Sequence, residues 1–350
     1  MSAGADRPLA ERRTPSTDAA RTFARRRARS EQRLERFRTA LAAQTPMPPG
    51  TCLFVTGSGG RGEMSRHSDL DVFILMAGEE PPRRIAQWLM KSAVVLALRK
   101  AGFPDPSRDG EYLAVHTTAD LMQRLGDRDE DALNILTARL LLLLESRPVV
   151  GAATHRSAVA QVIDSYWQNV DLHRDDYLPI ILTNDIVRYW RVVLLNYEAK
   201  NIATRRKAAG LPESEIEAER HLRSYKLRLS RCMTCFSAIT FLLAAATAGG
   251  GNVSMARVRE MVARRPVERL ARVAHMSRDP GVAAAVERLL DRYARFLRHT
   301  DASEQTLVRR FADRTQRRDR LREGREFGDE MFALVERLGR GNPLQRYLVV

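Results

Sequence analysis

Two aspartates separated by one residue, Asp69 and Asp71, follow a glycine-rich corner in the stretch VTGSGGRGEMSRHSDLDVFIL, Val55 to Leu75. In an extended chain, residues i and i+2 project from the same face, so the two carboxylates sit side by side. Like charges that close repel unless something cationic lies between them. A hard divalent cation with oxygen ligands satisfies both acids at once. Ahead of them, Gly57, Gly59, Gly60 and Gly62 surround Ser58 and Arg61. That many glycines allow a tight turn whose backbone N–H groups point inward.

The flanks say what must hold this pair in place. Leu53-Phe54-Val55 and Val72-Phe73-Ile74-Leu75 are β-branched and aromatic runs that read as buried strands. A helix is expected over Arg83–Lys100, stopped by Ala101-Gly102, and EYLAVHT reads as a third strand. Beyond residue 120, helical periodicity dominates: Asp131–Glu145, Ala158–Val170, Thr183–Ala199, Glu213–Ala248, Met255 to about Ala271, Val282–His299, Ser303–Arg322 and Phe327–Leu338. The expected fold is α+β, a small mixed-sheet unit at 46–125 followed by a larger helical domain at 126–345. A basic helix at 21–45 and a polar, disordered segment at 1–20 precede them.

The composition, 44% hydrophobic and 29% charged, describes a globular chain. Its net charge of +15, mainly arginine, favours polyanionic partners such as nucleotides, RNA or acidic proteins. Arg309 to Arg325 alone holds eight arginines against three acids, and its simplest reading is a solvated helix face. Three cysteines cannot form a disulfide framework, which suits a reducing, cytoplasmic setting. Cys232 and Cys235 have metal-pair spacing, but no second pair or nearby His completes a site, so they read as core cysteines. The first 50 residues, with 11 arginines and 5 acids, have no apolar core and are not expected to be a signal or transit peptide. The 17-residue apolar run Cys232–Ala248 reads as a buried bundle helix rather than a membrane span, so no membrane partner is expected.

GSGGRGEMSRHSDLDVFIL resembles the nucleotidyltransferase superfamily of DNA polymerase β, whose pattern is Gly-Ser, a spacer, then Asp-x-Asp between apolar positions. The Arg-Gly-Glu and Ser-Asp-x-Asp details are most similar to the bacterial signal-protein uridylyltransferases, and NDIVRYWRVVLLNYEAK and YKLRLSR resemble the helical segment that follows there. The resemblance implies that Asp69 and Asp71 hold Mg²⁺ (or Mn²⁺), bridging a nucleoside triphosphate and activating an attacking hydroxyl. It also implies a phosphate cradle at Gly57 and Ser58, with Arg61 and Ser68 beside it, and helical-domain contacts from Lys226 and Ser230. Arg61 equally suits a salt bridge to Glu63 that shapes the turn. A third carboxylate is usual in the superfamily; Glu111 is the first choice, with Asp109 and Asp120 as alternatives. No adjacent His-Asp pair exists in the chain, so the phosphohydrolase activity of the uridylyltransferases does not carry over. His67, His116 and the stripe Asn184, Arg188, Arg191 have ordinary packing or salt-bridge roles as their plain alternative.

Two readings follow. One is an enzyme that transfers an NMP to a hydroxyl of a protein or RNA, tRNA included. The other is a catalytically degenerate nucleotide sensor or RNA-binding scaffold on the same fold.

Overall fold

The two apolar runs around the glycine corner pair as antiparallel strands, β1 (Thr51–Val55) and β2 (Val72–Met76), in the register Thr51↔Met76 to Val55↔Val72. In the computed structural model, the described residues are 15–44, 46–106, 110, 113–123, 125–126, 130, 134–167, 176–207 and 212–349, with 203–207 as backbone only. Ahead of β1 stands α1 (Thr17–Ala42), and the corner between the strands coils into a short helix, α2 (Gly57–Arg61). After β2 come α3 (Arg84–Lys100), β3 (Val115–Thr117), α4 (Thr118–Gln123), α5 (Ile135–Glu145), β4 (Arg147–Val150) and α6 (Ala152–Ser165). Next, α7 (Ile180–Lys207) is followed by α8 (Glu213–Lys226), a π turn (Leu227–Arg231) and α9 (Cys232–Ala248), the last three forming one rod. The chain closes with α10 (Met255–Ala263), α11 (Pro266–Met276), α12 (Pro280–His299), α13 (Glu304–Ala312), α14 (Arg314–Gly339) and α15 (Pro343–Val349).

The sheet order is β3-β2-β1-β4, with β3 parallel to β2 and β4 antiparallel to β1. This small mixed sheet beside a larger helical region is the expected α+β architecture. One strand departs from expectation: β4 lies beyond residue 120, where only helices were foreseen. It is an edge strand of four residues carrying Pro148, which an edge tolerates because one side of the strand needs no ladder donor. The expected helix from Ser303 to Arg322 is divided at Asp313, whose carboxylate caps α14.

Both sheet faces are buried, so β1 and β2 read as unbroken apolar runs rather than alternating ones. Leu53, Val55, Val72 and Ile74 face a small core with α1 and α3. Cys52, Phe54, Phe73 and Leu75 face the large helical core, where Phe54 stacks on Phe73 with ring centroids 5.2 Å apart. The α1 helix, begun at Thr17 by its Ser16 cap, serves both sides. Leu34, Phe37 and Leu41 enter the small core, while the buried Arg26 donates to the Leu297 carbonyl and pairs with Asp301 at 3.3 Å.

The rod Glu213–Ala248 is long and apolar enough to cross a membrane by length and composition, yet 83% of its apolar window is buried inside the fold. It is the central core helix. Cys232 and Cys235 are buried in it, and burial pushes Cys232 up to about 12, so neither thiol is a nucleophile. Among the described residues no cluster of three His, Cys, Asp or Glu has metal-site geometry.

Candidate active site

The corner folds as it does because two backbone positions exclude side chains. Gly57 adopts φ +60°, and a Cβ there would lie 3.0 Å from Asp71 Oδ2. At Gly60 a Cβ would collide with the Glu145 carbonyl oxygen at 1.7 Å. The β1–β2 ladder runs one step past the strands, since Thr56 N–H donates to the Asp71 carbonyl at 3.0 Å. Asp69 and Asp71 therefore sit in the segment leading into β2, not within it. The expectation of two carboxylates on a regular strand face is corrected to an extended lead-in beside the corner.

A cleft of about 610 Å³ opens between this corner and the helical region. Gly57, Ser58, Arg61, Ser68, Asp69, Asp71, Lys226 and Ser230, separated by up to 173 positions (230 − 57), all line it. Glu111, and with it Asp109, lies outside the described residues; Asp120 is occupied by the Thr117 N–H at 3.0 Å. Asp69 is exposed and Asp71 half-buried, and neither side chain has a hydrogen bond or ion pair among the described residues. Burial first, and then the Asp69 carboxylate, raise Asp71 from an ordinary 3.8 to about 6, with Arg231 pulling the other way. Ser68 holds the lead-in: its Oγ accepts from Ser65 N–H at 2.9 Å. Lys226 carries no hydrogen bond or ion pair among the described residues.

Behind the corner lies a buried polar network, of which sequence reasoning foresaw only the Arg61–Glu63 salt bridge. The Glu145 side chain, with no exposed surface, accepts from Gly57 N–H at 3.0 Å, Arg61 Nη1 at 2.6 Å, Arg231 Nη1 at 2.7 Å and Thr234 Oγ at 2.7 Å. Arg61 also donates through Nε to Glu63 at 2.7 Å and through Nη2 to Ser230 Oγ at 2.8 Å. The Tyr293 hydroxyl donates to Glu63 at 2.7 Å. Burial alone would raise Glu145, but Arg61 and Arg231 outweigh it and hold the carboxyl at about 2. Ordered this way, α5, α9, the π turn and α12 all meet the corner.

This network revises two expected roles. Arg61 is 6% exposed with all three nitrogens engaged, so it shapes the turn and is not free to take a phosphate. Gly57 N–H is taken by Glu145 at 3.0 Å, whereas no hydrogen bond occupies the Ser58 hydroxyl among the described residues. The π turn brings Ser230 and Arg231 to the cleft together, and such turns recur at functional sites. His116 packs against the Phe73 ring, and Arg188 pairs with Glu130 at 2.6 Å, both in their plain structural roles.

A small mixed sheet, a Gly-Ser corner and an Asp-x-Asp lead-in are the features on which the resemblance to nucleotidyltransferases rests. In agreement, residues 7–115 match the family described as "Putative nucleotidyltransferase DUF294", which supports a place in the nucleotidyltransferase superfamily. The match runs from ahead of α1 to the first residue of β3. No curated protein and no solved structure matches the chain.

Proposed function

We propose that the chain is a divalent-cation-dependent transferase that moves an NMP from an NTP to a hydroxyl on a protein or RNA. The observation that carries this reading is the pair Asp69 and Asp71. Two crowded carboxylates with no protein cation bonded to them among the described residues line a cleft whose other wall bears Lys226. Their donor set is all oxygen and suits Mg²⁺ or Mn²⁺, which when bound supplies positive charge to the triphosphate and acidifies the attacking hydroxyl. In the transfer, the acceptor hydroxyl gives up its proton to solvent, its oxygen forms a bond to the α-phosphorus, and the bond from that phosphorus to the departing pyrophosphate breaks. Ser58 offers its hydroxyl from the corner, and Lys226 offers charge from the opposite wall, where the triphosphate is most negative. Arg231 and Arg61 act indirectly, by fixing the corner through Glu145. The finer likeness to signal-protein uridylyltransferases rests on the Arg-Gly-Glu and Ser-Asp-x-Asp details and on the segments 184–200 and 225–231.

The test is incubation of the protein with each of the four α-³²P NTPs, Mg²⁺ or Mn²⁺, and a cell lysate, beside the Asp71→Asn variant. Label on protein or RNA with wild type alone supports the reading and names the acceptor class. No label from any NTP, or equal label from Asp71→Asn, overturns it.

A further inference from the structure

The arginine run Arg309–Arg325 does not behave as a self-neutralised helix face. Arg320 is matched with Glu323 at 3.1 Å and Arg322 with Asp319 at 3.1 Å, while Asp313 caps α14. That leaves Arg309, Arg310, Arg314, Arg317, Arg318 and Arg325 without an acidic partner among the described residues. Along α14, Arg314, Arg318 and Arg325 fall at i, i+4 and i+11, one exposed stripe about 16 Å long. Arg228, exposed on the π turn, lies against Gly324 of α14 and extends the stripe. The helices packed beside α14 reach the cleft: Leu307 of α13, Arg223 and Lys226 of α8, and Leu227 of the π turn all line it, while α14 itself lends it no residue.

We propose that this face docks the phosphate backbone of a nucleic acid, and, resting on the transferase reading, that the acceptor hydroxyl is carried on it. Arginine outnumbers apolar anchors on this face, which favours nucleic acid over an acidic protein. Among the described residues a single exposed large hydrophobic, Phe332, continues the stripe at i+18, and a lone aromatic suits stacking on a base. Protein interfaces concentrate their energy in buried aromatic and aliphatic anchors. A phosphate backbone needs only well-placed cations, and arginine meets phosphate through two parallel N–H bonds.

The test measures binding apart from transfer, by fluorescence anisotropy of a labelled 24-nucleotide RNA, and of DNA of the same sequence, between 50 and 200 mM salt. The proteins are wild type, Arg314→Gln/Arg318→Gln/Arg325→Gln, and an off-face control, Arg83→Gln/Arg84→Gln/Lys100→Gln. Each lost phosphate contact on a single strand lowers the salt slope by about 0.7, so the triple variant's slope should be shallower by about 2. Its affinity should fall at least tenfold at 50 mM, while the control stays within twofold of wild type. Matching thermal unfolding of all three proteins excludes misfolding, which these unpaired, exposed side chains should not cause. Asp71→Asn should bind as tightly as wild type, so that docking stands even where transfer fails. Wild-type affinity in the triple variant, an equal loss in the control, or competition by polyglutamate as effective as by RNA would each overturn the proposal. Loss of binding in Asp71→Asn would do so too, by placing the nucleic acid in the cleft instead.

Discussion

Replacing Glu145 by glutamine keeps the shape of the side chain and removes the charge on which the corner is built. The carboxylate takes four donors with no surface exposed, and among the described residues it is the only acid bonded to Arg231. In the variant, the amide NH₂ would face donors that need an acceptor. Holding the carboxyl near 2 rather than an ordinary 4.5 favours its ionised form by about 3 kcal/mol, at about 1.36 kcal/mol per decade. That agrees in scale with the roughly 3–5 kcal/mol lost when one partner of a buried pair is removed. Glu145→Gln should therefore lower stability at pH 7 by about 3 kcal/mol, read from urea unfolding followed by far-UV circular dichroism. The sign with pH is fixed, because the folded-state value is the lower one. The contribution is complete above about pH 4.5 and is lost as pH falls toward 2, so the gap between wild type and variant should narrow from pH 4.5 downward. A difference under 1 kcal/mol at pH 7, or a gap unchanged between pH 4.5 and 3, would refute the assignment of Glu145 as the charge that holds the corner.

Asp69→Asn and Asp71→Asn should each leave the fold intact, since crowding is relieved, while cutting NMP transfer by orders of magnitude in a labelled-NTP assay. Gly57→Val places a β-branched residue at φ +60° with its Cβ 3.0 Å from Asp71 Oδ2, so thermal unfolding should show lost stability and steady-state kinetics a raised KM for NTP. Ser58→Ala should weaken NTP binding by about 1–2 kcal/mol, the scale of one hydrogen bond to a charged group. Lys226→Ala should cost about 1.5–3 kcal/mol in isothermal titration with a non-hydrolysable NTP and Mg²⁺, with nucleoside binding nearly unchanged; equal NTP affinities would remove Lys226 from the site.

What could be read from the chain was local. The glycines at 57–62, the paired aspartates and the two apolar runs state their geometry within 23 residues, from Leu53 to Leu75, and the rod Glu213–Ala248 ends where its apolar pattern ends. Glu145 escaped because its partners lie 84 to 89 positions away, at Arg61, Arg231 and Thr234. One signal was present: an acid closing the run LLLLLE, where burial demands compensation. Strand β4 escaped for a different reason, since four residues containing a proline carry almost no strand signal by themselves. Arg61 left two roles open in the sequence, and only the location of Glu145 and Ser230 decided between them.

Strand β4 has a consequence for how the chain is made. β1 needs β4 on one side and β2 on the other, and β4 ends at Val150, 74 residues after Met76 (150 − 76). At about 5–20 residues per second, a nascent chain waits roughly 4–15 s with β1 and β2 available but one long edge bare. Bare strand edges invite pairing with other chains. Over the same interval Arg61 has no Glu145 to receive it. A fragment ending at residue 115 or 125 would remain permanently in that unfinished state, so the smallest piece able to close its own sheet extends through Val150.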